Sequence, residues 1–411
     1  MNIIFVNRFY HPETPATGQL LADLAEGLAA RGHAVTVITA RHRDSAVQEE
    51  ILAGVRILRV SRTCAGGPPA KAVSFLRFHL AAFSAVRRVA RAGSMLVVMT
   101  DPPLLGISAG LAAASRGACC IHWVQDVYPE IVTRLTRHRW AGLLQPLRNT
   151  AWRRAGCCVT LGEDMAALLL RNGVDRRRVV IQPNWAPAGL EPLPRDTDSP
   201  LRREWGLAGR FVVAYSGNLG RVHDLDPLLD LATLLRDAPE ISFLFVGSGA
   251  GERGMRADVT SRGLRNVNFL PPQPRERLAA SLAVADLHAV TLRPGCEDLV
   301  FPSKLYGATA AGRPVLFIGP AGCEVARTVA DGDLGLTATR TTLAEAARGI
   351  RQLAADPGRW RRHAEAARDF SRRHSAMRAT ETWDRLLSAI ESGGPSREQA
   401  LPGALARESF P

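Results

Sequence analysis

The first forty residues leave little choice of fold. Residues 3–6 (Ile-Ile-Phe-Val) are an unbroken apolar run of strand length. A loop over 7–17 ends at Gly18, after which Leu20, Leu21, Leu24 and Leu28 recur at helical spacing. Arg31-Gly32-His33 closes that helix, and 35–39 is a second apolar run. Two strands joined by so short a helical crossover must lie parallel in one sheet. Gly18 stands where the loop meets the helix, but no G-x-G-x-x-G accompanies it, which argues against a dinucleotide fingerprint.

The same alternation predicts strands at 55–60, 95–100, 119–124, 157–161 and 179–182, so the first half is an α/β domain, 1–184. Residues 185–200 are proline-rich without periodicity and read as a linker. The βα alternation restarts at 211, giving a second parallel α/β domain over 201–369. Its strands are predicted at 211–216, 242–246, 267–270 and 287–292, and its helices at 226–236, 251–262 and 274–284. Helical patterns at 343–355 and 360–387 follow, the longer one breaking near Phe370-Ser371 as if a helix of about 370–390 changed domain. Residues 393–411 are small and polar and are expected to be poorly ordered.

The chain has 411 residues and a net charge of +13, mostly from arginine, which points towards nucleic acid, an anionic membrane surface or simply an arginine-rich proteome. Two segments bear on this. Residues 70–92 carry Phe75, Phe78, Leu80, Phe83 and Val86 among Lys71, Arg77, Arg87, Arg88 and Arg91, with no acid. Residues 134–154 interleave arginines with Trp140, Leu143, Leu144, Leu147 and Trp152. Aromatic-plus-arginine amphipathic helices suit a membrane interface, and the pair favours peripheral membrane contact over nucleic acid, for which no module is present. Either helix alone also reads as a surface helix packed on the sheet. No cysteine or histidine spacing predicts a metal site. The seven cysteines, four of them in two doublets within strand-like runs, read as small hydrophobes of a reducing compartment. With a strand at once from residue 2 and no signal-peptide pattern, a cytoplasmic location is expected.

The most informative stretch is 297–319, EDLVFPSKLYGATAAGRPVLFIG. Pro302 suits a first helical turn, so Ser303 and Lys304 are expected at a helix start. A hydroxyl, an ammonium and backbone amides together favour a polyanion. A lysine about 4 Å from a phosphate contributes roughly 4 kcal/mol in a partly screened site, against about 1 in bulk water. A lone lysine is more often a solvated helix residue. Here a small-residue helix and an apolar strand follow, and strand ends are where open α/β sheets hold ligands. Glycine turns at two more strand ends, 216–220 and 247–249, would let backbone approach a phosphate or a base.

Taken together, these motifs resemble the family-4 retaining glycosyltransferases of GT-B architecture, in their bacterial surface-polysaccharide branch. The resemblance rests on Gly18 with Arg31-Gly32-His33-Ala34-Val35-Thr36-Val37, then Trp123-Val124-Gln125-Asp126-Val127-Tyr128-Pro129-Glu130. It continues in Tyr215-Ser216-Gly217-Asn218-Leu219-Gly220, Phe245-Val246-Gly247-Ser248-Gly249, Phe269-Leu270-Pro271-Pro272-Gln273-Pro274 and Pro302-Ser303-Lys304-Leu305-Tyr306-Gly307. Each is weak alone; their order and spacing over residues 1–387 are specific.

The resemblance implies two Rossmann-like domains facing across a cleft, with a C-terminal helix returning to the first. It implies transfer of a sugar from a nucleotide-sugar, UDP-sugar favoured, to a lipid-linked glycan, with retention and without a metal or cofactor, in exopolysaccharide, capsule or O-antigen assembly. On it, Lys304, Asp126 and Arg221 are the expected catalytic groups. Gly18, Gly217, Asn218, Gly247, Gly249, Ser303, Lys304, Glu297 and Glu324 are expected on the donor, and Tyr10, His11, Thr17, Gln125 and Tyr128 on the acceptor side. The chain departs from the family in three places. Asn218 and His223 stand where the family carries an arginine and a lysine for the diphosphate, and Gly307 stands at the second of two glutamates. A catalytically silent GT-B binding protein and a nucleotide-sugar 2-epimerase are the alternative readings, the first motivated by Gly307 and the second by His11 and Glu13.

Overall fold

In the computed structural model, residues 1–411 are described except 12–14, 42–46, 63–66, 137, 221 and 394–411. The expected catalytic Arg221 and the expected disordered tail therefore lie outside the described residues, but for Gly393. The chain divides into two compact units. One comprises Met1–Asn184, Asp298–Phe301 and Ala376–Pro411; the other comprises Trp185–Glu297 and Pro302–Ser375.

The first unit holds β1 (Asn2–Val6), β2 (Ala34–Arg41), β3 (Glu49–Leu52), β4 (Val55–Arg62), β5 (Met95–Val98), β6 (Cys119–Trp123), β7 (Cys157–Thr160) and β8 (Val179–Ile181). They form one sheet in the order β3-β4-β2-β1-β5-β6-β7-β8. All pairs are parallel except β3 on β4, a hairpin with Ala53 and Gly54 at positive φ. The sequence reading missed β3, because Glu49-Glu50 has no apolar alternation and the strand is held at the edge, where Arg56 Nε donates to Glu49 at 2.7 Å. Helix Ala16–Ala30 buries the predicted leucines, helix Ala376–Glu391 packs beside it with Thr380 against Gly27, and Trp383 of the latter lies edge-on to Trp123 of β6 at 5.0 Å. The chain break before this last helix falls at His374-Ser375 rather than at Phe370-Ser371. Phe370 stacks on His374 at 4.0 Å and stays inside helix Pro357–Arg373.

The two basic segments fold differently from one another. The first is one helix, Pro68–Val89, and buries Phe78 and Val86 while Val73, Leu76 and Leu80 (48, 61 and 62% exposed) face solvent. The second breaks into helix Glu130–Leu135, a 3-10 turn Arg139–Leu144 and helix Gln145–Arg154. Its charges are partly spent internally. Arg148 is buried against Glu130, its Nη1 donating at 3.0 Å, and lies over Trp152 at 3.7 Å. Arg134 pairs with Asp298 at 2.7 Å. Trp140, Leu143 and Leu147 remain exposed.

The second unit has six parallel strands: β9 (Phe211–Ser216), β10 (Ile241–Val246), β11 (Val267–Leu270), β12 (Leu287–Thr291), β13 (Val315–Ile318) and β14 (Gly335–Ala338). Their order is β11-β10-β9-β12-β13-β14. Residues 185–200 are not a free linker throughout. Buried Arg313 donates to the carbonyls of Leu193 and Pro194 as well as those of Ala283, Ala285 and Ala311. Arg195 and buried Arg202 both close on Asp286, at 2.6 and 2.8 Å. Guanidinium forks satisfy several acceptors at once, so this end of the linker is fixed to its own sheet. Residues 298–301, assigned by the sequence to the second domain, belong to the first unit: Val127 N–H donates to Leu299 O at 2.9 Å, and Asp126 bridges Val300.

Candidate active site

Strand order reverses in the second unit between β9 and β12, and ligands of open α/β sheets bind beyond the carboxyl ends of strands at such a switch point. Ser216-Gly217 leave β9 there, and Thr291 ends β12 beside them. Lys304 begins helix Lys304–Ala310 and reaches back to this corner. Its Cε would lie 2.8 Å from a Cβ at Gly217, which is why position 217 (φ +132°) carries glycine. The ammonium lies 5.1 Å from the Tyr215 ring centroid and 2.9 Å from His223 Nε2.

The hydrogen bonds fix the histidine's tautomer. Thr291 O can only accept, so the Nδ1 at 3.0 Å carries the proton and Nε2 is left to accept from Lys304. Burial, then the nearby ammonium, lowers His223 to about 4, so it is neutral at pH 7. Burial lowers Lys304 from 10.5 to about 8. One donor of the ammonium is committed to His223, and among the described residues Lys304 makes no ion pair. The buried hydroxyls of Ser216 and Thr291 have no hydrogen-bond partner among the described residues. A cation and two unpaired hydroxyls at a switch point are what an incoming phosphate group would satisfy. Lys304 is also one of only two lysines among 52 basic residues, the other being Lys71, so the residue type is itself informative.

The glycine turns are explained differently from the expectation. The amides of Gly217 and Gly247 are taken by the carbonyls of Val246 and Leu270. A Cβ on Gly247 would lie 2.0 Å from Gly217 O, and one on Gly249 would lie 2.5 Å from Leu219 O. These glycines let two loops stack backbone on backbone, and Tyr215 Oη tightens the first by donating to Asn218 O at 2.9 Å. Asn218 is exposed on the same loop. The helix tip is a weaker anion site than expected. The helix has seven residues, Ser303 makes no side-chain cap, and the Leu305 and Tyr306 amides bond Pro302 and Ser303 carbonyls. Among the described residues, the cation at this corner is the Lys304 side chain rather than the helix end. Glu297 follows β12 and accepts from Gly295 N–H at 3.1 Å; Glu324 starts the helix after β13. Gly307 is not forced by packing, since a Cβ there would meet only Leu282 Cδ1 at 3.9 Å.

In the first unit the reversal falls between β1 and β5. Arg8 at the end of β1 pairs with Asp101 after β5 at 2.6 Å. Asp126, after β6, has its amide held by Thr100 Oγ1 at 3.1 Å; burial, then Asp101, raises its carboxyl to about 6. Burial, then the nearby Asp126 and Asp101 carboxylates, raises the Tyr128 phenol. Gln125 is not available to an acceptor: it is buried and exchanges two hydrogen bonds with Asn184, at 3.1 and 2.9 Å. Tyr10 is buried and His11 Nε2 is 3.2 Å from Glu26, while Thr17 sits half-exposed in the first turn of its helix. Gly18 belongs to this unit, where a Cβ would lie only 3.2 Å from the Phe9 backbone, so the close approach of helix and loop calls for glycine. Among the described residues, no three His, Cys, Asp or Glu side chains converge to hold a metal ion.

His223 is the group the sequence reading undervalued. It was visible only as the position where the family carries a lysine, and its contact with Lys304, 81 residues on, is tertiary.

Comparison with known proteins is consistent across sequence and fold. Residues 17–185 match the model of the glycosyl transferase 4-like domain, and residues 199–370 match that of glycosyl transferases group 1. WcaI of Escherichia coli K12, named for colanic acid biosynthesis as a glycosyl transferase, is 28% identical over 76% of this chain and 82% of its own. WbjE of Pseudomonas aeruginosa, a glycosyltransferase by name, is 29% identical over 60% of this chain and 62% of its own. Among solved structures, Anabaena HepE in complex with UDP-glucose superposes with a TM-score of 0.73 at 16% identity, covering 94% of this chain and 99% of its own. The sucrose-phosphate synthase of Thermosynechococcus elongatus gives 0.77 at 17%, covering 96% and 100%.

Proposed function

Because the chain belongs to the family-4 glycosyltransferases of GT-B fold, we propose that it moves a sugar from a UDP-sugar to a lipid-linked glycan in bacterial surface-polysaccharide assembly. The observation that carries the donor half is the Lys304–His223 contact at the β9/β12 switch point. As the glycosidic bond breaks, the departing diphosphate gains negative charge, and a pre-positioned ammonium in a partly dry corner stabilises that charge without reorganising. The unpaired Ser216 and Thr291 hydroxyls stand ready to donate to the same oxygens. Transfer then proceeds with retention, the acceptor oxygen attacking from the leaving group's own face, and needs no metal because Lys304 supplies the neutralising charge. UDP is favoured because HepE, of the same fold, binds it. The part WcaI takes in colanic acid biosynthesis, by its name, supports a polysaccharide product.

The first unit takes the acceptor. Asp126, Tyr128 and the Tyr10–His11 loop are its polar groups for that task. The exposed Val73, Leu76 and Leu80, with Trp140, Leu143 and Leu147, supply apolar surface for docking on the inner face of the plasma membrane, where a lipid-linked acceptor resides. Among the described residues no helix is long and apolar enough to cross a membrane. Gly307 favours a second reading, a silent binding protein, since a carboxylate is missing where packing would admit a side chain.

Thermal shift against UDP-, GDP- and dTDP-sugars, with EDTA present, tests the proposal. Bound donor raises the melting temperature with the logarithm of its excess over Kd. A rise with a UDP-sugar, followed by transfer to a lipid-linked acceptor, supports it. Stabilisation without transfer or hydrolysis favours the silent protein, and no stabilisation by any nucleotide-sugar rejects both.

A further inference from the structure

The strands of the first unit have a second end, away from Asp126 and Arg8. Beneath the N-terminal ends of β1, β2 and β5 lies a cavity of about 430 Å³, within the range of small-molecule sites. Asn2, Thr36, Arg56, Arg88, Arg91 and Ser94 line it, and no carboxylate does. Arg56 has a partner in Glu49 at 2.7 Å; Arg88 and Arg91 have no ion pair among the described residues.

The floor is built. Ser94 is buried, and its Oγ accepts from Asn2 Nδ2 at 2.8 Å and from the Arg91 amide at 3.0 Å. A hydroxyl that accepts twice still has its own proton to donate. Ser94 N–H in turn donates to Arg91 O at 3.0 Å, so the turn carrying Arg91 is pinned. Arg87 and Arg88 in the last turn of helix Pro68–Val89 complement the helix dipole, which accounts for their charge. It does not account for Arg56, from β4, and Arg91, from beyond the helix, meeting Arg88 around one cavity.

We propose that this cavity binds a phosphate-bearing anion. Guanidinium forks match phosphate oxygens, the two without a carboxylate, Arg88 and Arg91, relieve their mutual repulsion by sharing one anion, and Ser94 adds a hydroxyl donor. The site is separate from the sugar chemistry and does not depend on it. A free phosphate compound and the headgroup of an anionic phospholipid carry the same recognised group.

The test uses the full chain with Lys304→Ala, which removes the donor-site cation, so that its outcome is independent of the proposed glycosyl transfer. Inorganic phosphate should raise the melting temperature by on the order of 5 °C near saturation, and chloride at matched ionic strength should not. Adding Arg88→Gln and Arg91→Gln should abolish the rise while lowering the phosphate-free melting temperature by no more than about 2–3 °C, the helix-dipole contribution of Arg88. No rise, or a rise that survives both substitutions, overturns the proposal. Vesicles separate the two sources once the rise is lost. Sedimentation with phosphatidylglycerol that disappears in the double variant, and that inorganic phosphate competes away, assigns a lipid headgroup. Sedimentation that the substitutions leave unchanged assigns a soluble phosphate.

Discussion

Replacing Lys304 by alanine should weaken donor binding far more than it disturbs the fold. At about 4 Å an ammonium and a phosphate charge interact by roughly 4 kcal/mol at a partly buried site and about 1 in bulk water. Lys304 is half-buried, so a loss of about 2–3 kcal/mol is expected, or roughly 30- to 150-fold in donor Kd. Arginine should restore little of it. The side chain passes under Gly217 with 2.8 Å to the place a Cβ would take, and His223 Nε2 receives a single donor at 2.9 Å; a planar fork fits neither. The pH dependence has a definite sign. The cationic form binds, and its ordinary value of 10.5 is lowered to about 8, so donor affinity should be flat below pH 7 and decline as pH rises through about 8. That alkaline limb should vanish in Lys304→Ala. Isothermal titration with UDP across pH 6–9.5, alongside initial rates, measures both effects. Donor affinity within twofold of wild type in Lys304→Ala would refute the charge argument; wild-type behaviour of Lys304→Arg would refute the geometric one.

Asp126→Asn should stabilise the ligand-free protein by about 2 kcal/mol at pH 7 and by little at pH 4. The folded carboxyl is raised from 3.8 to about 6, so it favours folding when protonated, below pH 4, and that contribution is lost as pH rises through 6; urea unfolding at the two pH values measures the difference. Leu76→Ser with Leu80→Ser should reduce sedimentation with anionic vesicles at least fivefold, because both side chains are over 60% exposed and contribute apolar area to the interface. Undiminished sedimentation would show that this face does not meet lipid.

Much of the architecture was legible because each core strand is an apolar run bounded by turn residues. Residues 267–270 and 315–318 and helix 343–355 fall where their patterns place them. Elements with weak patterns were not legible. Strand β14 begins at a glycine and buries only Ala338 of its four residues, and β3 is acidic. Helix surface residues also misled. Leu80 shares a helix with Phe78 and looks equally buried in sequence, but the two lie on different faces, and the sheet takes Phe78. At the candidate site, Lys304 could be picked out from its proline and serine neighbours. The reason for the glycines could not, since it is one loop's backbone lying on another's. Nor could Gln125 be seen as spoken for, because its partner Asn184 is 59 residues away.

A crystal structure of the protein with UDP tests most directly whether Lys304 holds the diphosphate at the β9/β12 corner. A phosphate oxygen is expected within hydrogen-bond distance of Lys304 Nζ, with His223 still its second partner and Ser216 or Thr291 newly engaged. UDP bound away from that corner, with Lys304 still held only by His223, would contradict it.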